Sequence, residues 1–99
     1  MSAGVLSTAK VKVPSGRKRE LLLTLSSLLE LIRCEEGCCN YRFYLDSNED
    51  DTYVLVGEWQ SSHDWERHLH SENFAVLQGT LGVLAKGEKH DFNVSTLIR

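Results

Sequence analysis

The chain has 99 residues and a formal net charge of −3, with 41% hydrophobic and 25% charged residues, the balance of one ordinary globular domain with a modest core. That charge excludes the basic stripe of a nucleic-acid binder. Lys10, Lys12, Arg17, Lys18 and Arg19 straddle a strand end and a helix start and read as a solvated face.

Residues 1–10 lack the basic start and apolar run of an export signal. The apolar block 21–32 is interrupted by Thr24, Ser26, Ser27 and Glu30, so no membrane span is expected. Cys34, Cys38 and Cys39 lack the paired spacing of zinc ligands. They read as reduced thiols in a cytoplasmic protein.

Residues 5–13 alternate, with Val5, Ser7, Ala9, Val11 and Val13 on one face, which predicts a first strand. Pro14, Ser15 and Gly16 end it, and Ser15 is the expected cap of the next helix. Over 17–33, Leu21, Leu25, Leu28 and Ile32 form an apolar stripe that Leu22, Leu29 and Leu31 widen, leaving Leu23 outside. Gly37 supplies a left-handed stop. Residues 38–45 and 53–59 make a hairpin around the polar turn 46–51. That turn fails as a calcium loop, because Asp51 and Gly57 stand where Gly and a bidentate Glu are needed.

Ser61 and Asp64 resemble a capping box opening a short helix through His70. Ser71 restarts it, with Phe74, Leu77, Leu81 and Leu84 as its stripe and Gly87 as its end. Residues 90–96 alternate again as a fourth strand, with Phe92 and Val94 on one face.

The order is β-α-β-β-α-β, a ferredoxin-like α+β domain over residues 4–99, with two helices on one face of a four-stranded antiparallel sheet. The third strand is apolar on both faces: Tyr53, Leu55 and Trp59 point one way, Val54 and Val56 the other. The helices cover one face only. A second copy stacking its sheet on the other, as a homodimer forming an α/β barrel, is therefore expected.

Glu35-Glu36-Gly37-Cys38 followed by Tyr41, and Glu58-Trp59-Gln60-Ser61 followed by His68-Leu69, Ser71 and Phe74, resemble the antibiotic biosynthesis monooxygenase family, including its small quinol monooxygenases. The resemblance covers about residues 5–97. It implies a dimeric α/β barrel that oxidises a small aromatic, hydroquinone or polyketide-like substrate with O₂ and no metal, haem or flavin cofactor. Isomerases, cyclases, haem-degrading enzymes and proteins without known activity share the fold. The haem-degrading set is an Asn on the first strand, a Trp in the second helix and a His four residues after the Phe. Here residues 5–13 contain no Asn, His68 holds the Trp position and Gln78 follows Phe74 by four, so haem degradation is not expected.

His68 is the candidate catalytic base, since the resemblance sets it at the cavity border and an ordinary imidazole titrates near neutrality. The alternative is a structural histidine bonded to a backbone carbonyl. Trp59 and Trp65 are candidate cavity walls or plain core, Tyr41 and Tyr53 candidate hydroxyl donors to a ligand, and Phe74 a core or substrate contact. His63, His70 and His90 read as surface residues. No phosphate loop, serine elbow or HExxH motif occurs. Proton transfer on a ring substrate, by an isomerase or cyclase, and non-enzymatic binding of a small ligand are the competing functions.

Overall fold

The computed structural model describes residues 3–13, 15–84 and 91–98; for residues 3, 15, 84 and 91–98 only the backbone is described. The elements run β1 (Ala3–Lys12), α1 (Lys18–Arg33), β2 (Cys38–Leu45), β3 (Thr52–Trp59), α2 (Ser62–Leu69), α3 (Glu72–Leu84) and β4 (Asp91–Ile98). The sheet is antiparallel with spatial order β2-β3-β1-β4.

Alternation on β1 and β3 divides the sheet into two unlike faces. Val5, Ala9, Val11, Leu55 and Trp59 are buried against Leu21, Leu25, Leu29 and Ile32 of α1 and Leu77 and Leu81 of α3. Val54 and Val56 on the other face are only half-buried. In β4 the register pairs Val94 with Ser7 and Phe92 with Ala9. Leu84, Gly87 and His90 lie outside the residues whose side chains are described.

The helix layer departs from expectation in two ways, at the N-cap of α1 and at Leu31. Arg17, not Ser15, is the N-cap of α1; Ser15–Arg17 form a 3₁₀ turn, and the Arg17 side chain makes no capping hydrogen bond. Leu31 is 59% exposed, because α1 buries the narrower stripe ending at Ile32. The second helical stretch breaks at His70 and Ser71, as the restart at Ser71 predicts, so it forms two helices, α2 and α3, rather than one.

Two irregularities shape the end of the sheet nearest that break. Cys38 pairs with Trp59 and Asn40 with Glu58, so Cys39 is the extra residue of a β-bulge. The bulge resets the alternation, so that Tyr41, three residues after Cys38, also faces the helices. Just before it, Gly37 takes a φ of +82° and its carbonyl accepts from the Gln60 N–H at 2.8 Å.

A Cβ on Gly37 would run into the Asp64 side chain as well as adopt a strained φ. Gly37→Ala should therefore lower the unfolding free energy by about 1–3 kcal/mol in urea titration. Gly79 lies exposed in α3, where a Cβ meets nothing within 4 Å. Gly79→Ala should raise stability by about 0.5–1 kcal/mol, the backbone entropy a helical glycine loses. Equal effects of one sign would contradict the described backbone.

Candidate functional site

α2 starts where Ser61 Oγ accepts from the Asp64 N–H at 3.2 Å and donates to Asp64 Oδ2 at 2.8 Å. Trp65 and His68, three residues apart, then fall on the same side of the helix, and both are buried. Ser71 explains why the helix stops. Its hydroxyl donates to the His68 carbonyl at 2.6 Å and accepts from the Phe74 N–H at 3.1 Å, ending α2 and capping α3 with one group. The turn brings Phe74 back over the His68 ring.

The result is an aromatic box. The His68 ring stacks on Trp59, with centroids 4.6 Å apart and planes at 27°. Phe74 stands edge-on at 5.1 Å, and Tyr41 and Trp65 each lie 5.6 Å away. His68, Trp59 and Tyr41 are each 1% exposed. Gly57 lets two of these rings approach the sheet. A Cβ there would sit 2.8 Å from Tyr41 Cε2 and 3.0 Å from Trp59 Nε1.

One side of the imidazole is anchored. His68 Nδ1 lies 2.9 Å from Glu35 Oε1, and Glu35 Oε2 accepts from Asn73 Nδ2 at 3.0 Å. Glu35 is held in turn by its own N–H to the Ile32 carbonyl at 2.9 Å and by its carbonyl, which accepts from the Cys38 N–H at 3.1 Å. Burial pushes the His68 pKa below its ordinary value, and the bond to Glu35 opposes this only in part. A carboxylate accepts, so the neutral ring carries its proton on Nδ1 and leaves a lone pair on Nε2. Among the described residues Nε2 is buried without a hydrogen-bond partner, and so is Trp59 Nε1. Such orphaned polar atoms are rare in protein interiors.

The neighbouring titratable groups are quiet. Burial, with smaller contributions from Cys38 and Glu35, pushes the Tyr41 phenol up, so it stays protonated. Burial, with Glu35 and Cys39 adding to it, pushes the Cys38 thiol to about 11, which makes it a poor nucleophile near neutrality. Among the described residues no cluster of three or more His, Cys, Asp or Glu side chains fits a metal ion, and no helix is long and apolar enough to cross a membrane.

Five of the six residues singled out from sequence converge here: His68, Trp59, Trp65, Tyr41 and Phe74. Tyr53 does not. It sits six residues before Trp59 on β3, about 20 Å away along the strand, and packs edge-on against Phe43 at 6.1 Å. His68 is also deeper than a border residue, being enclosed by four rings. Glu35 and Asn73 escaped the sequence reading as partners of His68, because no local spacing links Glu35 to a residue 33 positions away.

The chain belongs to the antibiotic biosynthesis monooxygenase family, whose pattern matches residues 5–79. It is 26% identical over 85 residues to a Bacillus subtilis protein named "Putative monooxygenase YcnE", covering 86% of this chain and 83% of that one. It is also 26% identical over 70 residues to the "Uncharacterized protein sll1783" of Synechocystis, covering 71% of this chain and 48% of that one. The match thus spans about half the length of the Synechocystis relative.

Among solved structures, a Caulobacter crescentus protein described as a "putative antibiotic biosynthesis monooxygenase" superposes with a TM-score of 0.87 at 15% identity, covering 99% of this chain and 92% of that one. A conserved Methanosarcina mazei protein does so at 0.85 and 21%, covering 95% and 92%. At these identities the likeness is one of α+β ferredoxin-like fold.

The depressed pKa has a thermodynamic consequence. In the unfolded chain His68 titrates near the ordinary value of 6.5, and in the folded protein lower. Between those values the unfolded state binds the extra proton. The stabilisation is therefore full above pH 6.5 and is lost as pH falls toward the folded value. Unfolding titrations should show this loss in the wild type and a flatter profile in His68→Gln, whose amide still donates to Glu35. Identical slopes in both proteins would mean that His68 is not held neutral by burial.

Proposed function

We propose that the protein is a cofactor-independent monooxygenase acting on a small phenol, hydroquinone or polyketide-like aromatic. The observation that carries this reading is a histidine enclosed by four aromatic rings, its Nε2 buried without a partner among the described residues. Family membership and the monooxygenase names of relatives support it.

Nε2 takes the proton from a substrate hydroxyl, and the aromatic walls exclude water from the imidazole. The resulting anion is electron-rich enough to reduce O₂ itself. An O–O adduct forms at a ring carbon, that carbon loses its hydrogen, and the O–O bond breaks. One oxygen stays as a carbonyl and the other leaves as water. A phenol plus O₂ gives a quinone plus water, so electrons balance without metal, haem, flavin or added reductant. Trp59 Nε1–H is an available donor for a developing oxyanion.

The assembly belongs to the same reading. The sheet face away from the helices carries Leu6, Val54 and Val56, half-buried in the single chain, and the half-exposed Tyr44. A second copy stacked on that face would cover them and complete an α/β barrel. Static light scattering at micromolar concentration should give twice the chain mass, and a monomeric mass would exclude the barrel. Three free thiols accord with a cytoplasmic setting.

With a hydroquinone, dialysed protein should consume O₂ with no added cofactor. His68→Gln should lose on the order of 10²–10⁴ in rate, the worth of a positioned general base. His70, exposed at the end of α2, is the control, and His70→Ala should keep full rate. Turnover that persists without O₂ would instead indicate an isomerase or cyclase. Ligand binding without any turnover would indicate a binding protein.

A further inference from the structure

A base closed in by four rings faces a difficulty at its far side. Each proton taken at Nε2 creates an imidazolium in the place where burial most disfavours it. The His68 side chain itself has no exposed surface, while Glu35 keeps 18% of its side chain exposed. Glu35 therefore touches both the buried ring and water. It opens into a groove of about 400 Å³ that His68 also lines, though its side chain has no exposed surface, together with Glu36, Asp64, Arg67, Ser71 and Asn73.

We propose that Glu35 is the positioning residue and proton outlet of His68, linking the buried imidazole to solvent through Nδ1. The substrate O–H breaks as Nε2–H forms; Nδ1–H breaks as Glu35 Oε1–H forms; the ring returns to neutral. Glu35 then passes its proton to water in the groove. Late in the reaction Nε2–H protonates the departing hydroxide to give water, and Glu35, recharged from solvent, returns a proton to Nδ1. No net proton is consumed.

The surroundings fit this use of the carboxylate. Asn73 donates to Oε2, which leaves Oε1 facing the ring. The other titratable groups facing Glu35 are Glu36, Asp64, Arg67 and Glu72 around the groove and Cys38 and Tyr41 from β2. Arg67 is already engaged, 3.1 Å from Asp64 and 3.3 Å from Glu36. Cys38 and Tyr41 are held in their neutral forms. The carboxylate nearest the ring thus also reaches water.

The relay's use in turnover rests on His68 acting as the base, but the relay itself is a property of the resting protein and is tested there. NMR exchange measurements read how fast the Nδ1 proton of His68 trades with water. In Glu35→Gln the amide oxygen still accepts from Nδ1–H, and Asn73 can turn its amide to match, yet no proton can be taken up. Exchange should slow by roughly 10²-fold, the lower end of what a positioned acid–base group contributes. Glu35→Asp keeps a carboxylate one methylene short and should fall between the two. It serves alone if the Gln variant does not fold. Wild-type exchange in either variant overturns the relay. Oxygen uptake enters neither arm, so an inactive wild type would reject the monooxygenase reading and leave the relay standing.

Discussion

The 2.9 Å bond between His68 Nδ1 and Glu35 Oε1 is the contact on which the rest of the site depends. It joins the turn after α1 to the last turn of α2, two parts of the chain that share no local sequence signal. A buried imidazole and a nearby carboxylate each carry a desolvation cost, and the bond satisfies one donor and one acceptor at once. It also fixes the tautomer, which decides what the ring can do. With the proton held at Nδ1, Nε2 is a base; with the proton at Nε2, it would be a donor only.

Much of the local backbone irregularity serves that geometry. Gly37, at φ +82°, lets the chain leave α1 and enter β2 with Glu35 turned toward the helix layer. The bulge at Cys39 puts Tyr41 on the same side as Trp59. The Ser71 hydroxyl ends α2 beside His68 and starts α3 so that Phe74 covers the ring. Each device is a small departure from regular structure, and each places one wall of the box. Departures of this kind cluster where function needs geometry that regular elements do not provide.

The regular parts of the fold were legible in the sequence because they follow from periodicity. Val5 to Val13 alternate, Leu21 to Ile32 recur at helical spacing, and both patterns are buried as read. The left-handed Gly37 and the Ser61–Asp64 cap were legible from residue type alone. What escaped depends on tertiary contact. Leu31 belongs to the apolar stripe by spacing, yet the helix layer leaves it outside. Tyr53 and Tyr41 look equivalent on paired strands, but the register sets Tyr53 opposite Leu45 and Tyr41 opposite Gly57, at different ends of the hairpin. Glu35 read as part of a helix stop, and only the folded chain shows it as the partner of His68.

The base role of His68 depends on one protonation state, and that state is measurable. Nitrogen-15 NMR of histidine-labelled protein at neutral pH distinguishes a protonated ring nitrogen from one bearing a free lone pair. His68 should show a neutral ring with the proton on Nδ1 and a bare Nε2. A proton on Nε2 with Nδ1 bare, or a fully protonated imidazolium at that pH, would contradict it.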